Sequence, residues 1–177
     1  LIGLDFITHP SNIYEHSNLN LSPKNFAKYW SKKKAKSIAS QFKDSLIIGA
    51  DTIVNINGEI LGKPKDNEDS YRMLKNLSGK THDVITGITI IYEKMNIIKS
   101  FTELTKVSVK NIPNKEILYY IDNYPTLDKA GGYGIQDWFS VWIKKIDGCY
   151  YNVMGLPLSK FYKNYILLKK EINAYNK

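Results

Sequence analysis

Cysteine, arginine and long apolar runs are the scarce features of this sequence. Cys149 is the single cysteine, so no disulfide can close within the chain, and a reducing, cytoplasmic setting is expected. No apolar run reaches the roughly 18 residues that span a bilayer, and no signal-peptide pattern opens the chain; no membrane partner is expected. Arg72 is the only arginine among 25 basic residues. Surfaces that read bases or grip phosphate in bidentate fashion favour arginine, so the net charge of +8 reads as lysine-rich composition and not as a specific nucleic-acid surface. His9, His16 and His82 are too scattered to suggest a zinc set. His82 reads as a hydrogen-bonded strand residue, and Cys149, beside Tyr150 and Tyr151, as packing.

What remains is ordinary for a folded protein: 177 residues, 43% hydrophobic and 24% charged, enough for one well-buried domain spanning 1–177. Leu4 to His9 alternates like a short strand. Ser22-Pro23 reads as a helix start, and Phe26, Trp30, Ala35, Ile38 and Ala39 then recur at helical spacing, with Lys32 to Lys34 on the wet face. Asp66, with Glu68 and Asp69 in the first turn, caps a second helix that buries Tyr71, Leu74 and Leu77 and stops at Gly79. A long hairpin is expected from Thr81 to Ile112, broken around Glu93 to Asn96. A short helix from Asn114 to Asp122, a strand from Phe139 to Ile146 and a final helix from Leu158 to Ile172 follow. On that last helix Phe161, Ile166 and Leu167 form a stripe that is either core or a homodimer contact. The order of elements argues for an α/β fold on a mixed sheet.

The stretch from Ile47 to Pro64 places Asp51 and Thr52 in the middle of an apolar strand. Asn57-Gly58 marks a hairpin turn. A two-residue loop would set Ile56 against Glu59. A three-residue loop, with Gly58 in a left-handed bulge, pairs Val54 with Ile60 and Ile53 with Leu61, matching like with like, and it is the register expected here. It brings Lys63 across from Asp51 on one face. A plain surface ion pair there is worth only about 0 to 1 kcal/mol. The functional alternative is a phosphate site, in which Asp51 takes a proton from water or holds a divalent cation and Lys63 meets phosphate oxygens.

The motifs "GADTIV", "GEILGKPKDNEDSYRMLKNLSGKTHDVITG", "LDKAGGYGIQD" and "YYNVMGLPL", in that order, resemble the Maf family of nucleoside triphosphate pyrophosphatases. The resemblance runs from about Gly3 to Leu158. It implies a Maf/ITPase-like α/β fold, a mixed twisted sheet flanked by helices and two-lobed around a central cleft. It implies hydrolysis of dTTP, UTP or related non-standard nucleotides to the monophosphate and pyrophosphate, with Mg²⁺ or Mn²⁺. On the same resemblance Asp51 is the proton acceptor and a metal carboxylate, and Lys63 is a catalytic phosphate contact. Thr52, Gln136 and Lys129 are substrate-binding positions, Asp128 is structural or catalytic, and Glu15 is the second metal carboxylate. Tyr133 or Trp138 stacks on the base or belongs to the core.

The sequence also departs from the family. Nothing in it matches the family's first strand and its Ser-x-Ser-Pro-Arg-Arg loop, "DNYP" (Asp122 to Pro125) replaces Thr-Gly-Glu-Pro, and Asp137 replaces a glycine. The chain as written is therefore expected to hydrolyse nucleotides poorly unless such a loop precedes Leu1. The alternative is a catalytically impaired remnant or a regulatory binding protein of the same fold; a lysine-based nucleic-acid module ranks last.

Overall fold

Pro23 stands at the first position of helix α1 (Pro23–Ala39), where its fixed φ suits the helix and its missing N–H costs nothing. The helix buries Phe26, Ala27, Trp30, Ser31, Ala35 and Ala39, a face of mostly small residues. That face lies directly on strands β1 (Ile47–Ile56) and β3 (Thr81–Tyr92). Contact is this close because two strand positions are glycine: a Cβ at Gly49 would stand 2.3 Å from the Ser31 carbonyl oxygen, and one at Gly87 would stand 2.3 Å from that of Ala27. The computed structural model describes residues 2–15 and 19–175; His16 lies outside the described residues.

The remaining elements are β2 (Glu59–Leu61), α2 (Asn67–Leu77), β4 (Ile97–Val109), α3 (Asn114–Asn123), β5 (Ile143–Asp147), α4 (Tyr150–Val153) and α5 (Leu158–Tyr175). The strands form one sheet in the order β2-β1-β3-β4-β5. The α/β architecture with helices flanking a sheet is as expected. The sheet itself differs from expectation, since every pairing among the described strands is antiparallel. Leu4 to His9 forms no strand: Phe6 and Ile7 are 80% and 81% exposed, and no described strand pairs with the segment, so its alternation has no sheet to act on.

The β1–β2 hairpin corrects the expected register. Val54 pairs with Leu61, Asn55 with Ile60 and Ile56 with Glu59, which is the two-residue loop. Asn57 and Gly58 both take positive φ, 52° and 87°, the primed turn whose twist matches the flanking strands. Turn geometry thus outweighs the preference for pairing like with like. β3 and β4 form the expected long hairpin, reversed through a short helical turn at Glu93–Met95 and Asn96 at φ 52°.

Alternation along β1 and β3 divides the side chains between two layers. Gly49, Asp51, Ile53, Ile85 and Gly87 face α1, whereas Val54, Ile56 and Val84 join the largest core, shared with Leu74, Leu77, Ile117, Tyr120 and Phe139. On α2 the Asp66 carboxylate accepts from the Asp69 N–H at 2.8 Å, as expected for the cap, and Gly79 follows the helix at φ 73°. On α5 the packed stripe is Phe161, Tyr165, Leu168 and Ile172, spaced by three and four; Leu167 faces outward at 51% exposure, so of its two expected readings the core one does not hold. The strand expected from Phe139 begins only at Ile143, because the Asp137 carboxylate accepts from the Phe139 N–H at 3.0 Å and winds Trp138–Trp142 into a helical turn.

Gly87→Ala forces a methyl into the Ala27 backbone, and overpacking of this kind costs about 3 kcal/mol, on the order of a 10 °C drop in Tm by thermal melting; Gly62→Ala, where nothing lies within 4 Å, leaves stability within about 0.5 kcal/mol. His82 is 2% exposed and bonded through Nε2 to the Tyr133 hydroxyl at 2.8 Å. Burial holds its pKa down at about 4, so between about 6.5 and about 4 the unfolded chain takes up the proton and the folded chain does not. Stability is full above that window and falls as pH drops through it, by on the order of 3 kcal/mol. Urea unfolding at pH 7 and pH 5 should show a smaller difference for His82→Gln than for the unsubstituted protein.

Candidate active site

Asp51 points at α1, and a lysine of that helix meets it. The Lys34 ammonium donates to Asp51 Oδ1 at 2.7 Å and also pairs with Glu15 Oε1 at 2.9 Å, bringing two carboxylates to one cation. The seat that Gly49 and Gly87 give α1 makes this reach possible. Gly87 is also the residue directly across from Asp51 in the β1–β3 ladder, so no side chain stands beside the carboxylate on that strand. The site is electrically unbalanced, with one positive and two negative groups.

Asp51 is only 6% exposed, and its Oδ2 is buried with no hydrogen-bond partner. Burial, reinforced by Glu15, outweighs the attraction of Lys34 and raises the Asp51 pKa above the usual carboxylate range. Burial also works against the Lys34 charge, but Asp51 and Glu15 outweigh it and hold that pKa above the ordinary lysine value. The pair therefore keeps a protonated amine beside a carboxylate of increased basicity. An orphaned oxygen on a buried carboxylate destabilises the fold. A bound proton, cation or water at Oδ2 would recover part of that cost, which is the signature of a site more than of a structural ion pair.

Lys34 was expected on the wet face of α1. A positional signal was available: residues 27, 31, 34 and 38 fall at i, i+4, i+7 and i+11, so position 34 continues the inward stripe. Lys32 and Lys33 are exposed as expected.

Lys63 does not face Asp51. β2 ends at Leu61, and the two-residue hairpin register sets position 63 across from Thr52, one step from the expected pairing. Lys63 is exposed and lies near enough to Asp128 to help lower its pKa, after the larger effect of the Lys129 hydrogen bond. Lys129 is tied to Asp128 Oδ1 and to the Pro125 carbonyl, both at 2.7 Å. This turn closes on the hairpin, where the Gly131 N–H donates to the Gly62 carbonyl at 2.9 Å. Thus Lys63, Asp128 and Lys129 gather at the end of the hairpin, while Asp51, Lys34 and Glu15 gather under α1.

Thr52 lies on the opposite side of β1 from Asp51 and bonds Thr86 at 2.9 Å. Gln136 is exposed. Tyr133 is buried against Phe139 and His82, a core residue and not a stacking platform; Trp138 stacks on Tyr120 and Tyr124. Hollows of about 270 and 450 Å³ lie along α2 and α3, lined by residues such as Asn67, Leu118, Ile121 and Tyr124, away from Asp51. Among the described residues no group of three or more His, Cys, Asp or Glu is arranged around a metal position, and no helix is long and apolar enough to cross a membrane.

Comparison with known proteins places the chain in a family. The pattern of the family described as Maf-like protein matches residues 1–167. A dTTP/UTP pyrophosphatase of Thermosipho africanus is 48% identical over 160 residues, covering 90% of this chain and 81% of that protein. Proteins of the same name from Pyrococcus furiosus and Carboxydothermus hydrogenoformans are 47% and 44% identical, covering 87% and 81% of this chain and 80% and 77% of theirs. The match covers nearly all of the sequence, and the relatives are more than 40% identical over most of it, so the chain belongs to the family of Maf-like proteins.

Proposed function

We propose that this protein is a nucleoside triphosphate pyrophosphatase that hydrolyses dTTP and UTP to the monophosphate and pyrophosphate. The observation that carries the reading is Asp51: buried, raised in pKa, with Oδ2 unpartnered beside a protonated lysine. The named relatives support the choice of substrate. A cytoplasmic setting, where nucleotides are made and used, goes with this reading.

The reaction adds water across one anhydride bond. The water oxygen bonds to the α-phosphorus, the bond from that phosphorus to the bridging oxygen breaks, and pyrophosphate leaves. Asp51 acts as general base and removes the water proton; its raised pKa makes it a stronger base than an exposed carboxylate. Lys34 holds the Asp51 carboxylate in place and offsets negative charge as the phosphate approaches. Lys63 supplies a point charge to phosphate oxygens, Lys129 adds a second, and Thr52 and Gln136 meet the nucleoside.

Asp51 Oδ2 and the neighbouring Glu15 are a donor set that fits Mg²⁺ or Mn²⁺, which take one or two protein carboxylates and fill their shell with water and substrate phosphate. Such an ion would stabilise charge on the phosphate oxygens. Its positive charge would also balance the surplus carboxylate of the site.

Steady-state assays with dTTP and UTP test the reading. Asp51→Asn should lower kcat by about 10²- to 10⁴-fold with the fold retained, and Lys34→Met should lower it substantially as well. Turnover at full rate in Asp51→Asn would refute the assignment, and nucleotide binding without turnover would favour a regulatory binding protein. Because the base must be ionised, kcat/KM should fall as pH drops, with its acid limb above the ordinary aspartate value of about 4. Chelation with EDTA should abolish turnover and added Mg²⁺ or Mn²⁺ should restore it.

A further inference from the structure

A chain of buried hydrogen bonds leads from α4 to Thr52, and the direction of each bond in it is determined. Asn152 is fully buried. Its amide nitrogen donates to the Val84 carbonyl at 3.0 Å and to Thr105 Oγ1 at 3.1 Å. A carbonyl only accepts, so the amide has one possible orientation. Thr105 accepts from the Cys149 N–H at 3.0 Å and donates to the Cys149 carbonyl at 3.1 Å, which clamps the start of α4 to β4. These bonds fix the Asn152 backbone carbonyl 3.0 Å from Thr86 Oγ1, where Thr86 must be the donor.

The consequence passes along the sheet. A hydroxyl has one hydrogen, and that of Thr86 is spent on Asn152. The 2.9 Å contact between Thr86 and Thr52 must therefore be donated by Thr52, whose own hydrogen then points inward. Only lone pairs remain on its outer side. Thr86 and Thr105 are fully buried, whereas Thr52 is half-buried, so the chain ends at the one hydroxyl that an incoming molecule can meet. Gly155 keeps that oxygen uncovered, since a Cβ there would stand 3.5 Å from Thr52 Oγ1.

We propose that Thr86, fixed by the Asn152 carbonyl, is a positioning residue that makes Thr52 a hydrogen-bond acceptor only, so that the site selects substrates bringing an N–H or O–H donor to this oxygen. The inference rests on the nucleotide-hydrolysis reading above and specifies how its substrate is chosen. Two donors are shared by dTTP and UTP: the ring imide N–H and the 3′-hydroxyl. CTP keeps the second and presents a lone pair in place of the first. Phosphate oxygens, which carry no hydrogen, are repelled from this position.

The test is kcat/KM for UTP, CTP, N3-methyl-UTP and 3′-deoxy-UTP with the unsubstituted protein and with Thr86→Val, Thr86→Ser and Thr52→Val. Thr86→Val frees the Thr52 hydroxyl to turn outward, so discrimination against the analogue lacking the donor should fall on the order of tenfold, while Thr86→Ser should retain it. A penalty for N3-methyl-UTP and CTP that disappears in Thr52→Val assigns the imide N–H. A penalty confined to 3′-deoxy-UTP assigns the sugar hydroxyl. A folded Thr86→Val protein with every ratio unchanged overturns the inference alone. If that variant does not fold, unchanged ratios in Thr52→Val overturn it equally. Absence of UTP and dTTP turnover in the unsubstituted protein overturns the nucleotide reading and this inference with it.

Discussion

The contact between the Lys34 ammonium and the Asp51 carboxylate organises the candidate site. An aspartate in the middle of a core strand has few stable solutions: it takes a proton, finds a cation, or carries a large desolvation penalty. Here it finds a cation on α1, and Glu15 of the segment before the helix joins the same amine. That arrangement depends in turn on two absent side chains. Gly49 and Gly87 let α1 rest on the backbone of the sheet, and a lysine on that helix then reaches a carboxylate on the strand. The unequal count of charges leaves the cluster receptive to a further cation.

Strand β1 displays different chemistry on its two sides. Asp51 looks toward α1 with an ionised partner, and Thr52 looks toward the opposite layer with a chain of neutral hydroxyls behind it. β2 pairs only with the far end of β1, from Val54 to Ile56. Among the described residues the stretch from Ile47 to Ile53 therefore has one edge without a partner strand, next to both side chains. A ligand lying along that edge can touch both sides of the strand, which a ligand on a covered face cannot do. Alternation of side chains, usually a device for separating core from solvent, here separates a charged cluster from a chain of neutral hydroxyls.

Local signals in the sequence carried over to the structure wherever the governing physics is local. Pro23 opens α1, the Asp66 carboxylate caps α2, and the long hairpin turns where its β-branched run breaks. Two local rules compete at the β1–β2 hairpin. Pairing like with like favoured a bulged loop, but Asn57-Gly58 suits the primed turn, and the turn decided the register by one residue. Asp137 similarly delayed β5 by capping a turn that the apolar pattern did not reveal. Asp51 was legible as a candidate because a carboxylate is conspicuous in an apolar strand, whereas Glu15, in a polar segment, was reached only through the resemblance to the Maf family. Lys34 was hidden among three consecutive lysines, although helical phase separates it from Lys32 and Lys33. The Thr86–Asn152 link joins residues 66 positions apart, a relation that periodicity does not encode.

The seating of α1 on Gly49 and Gly87 also bears on what catalysis would cost at the moment of reaction. Where α1 crosses Gly49 and Gly87 its backbone lies against the strand backbone with no side chain of those strand positions between them, and packing this close leaves little room for helix and sheet to shift relative to each other there. The amine of position 34, held by Asp51 at 2.7 Å and Glu15 at 2.9 Å, would then have little freedom to reorient if charge built on a bound phosphate. Its arrangement is completed during folding, and on the proposed reading a reacting complex would not need to supply that reorganisation again.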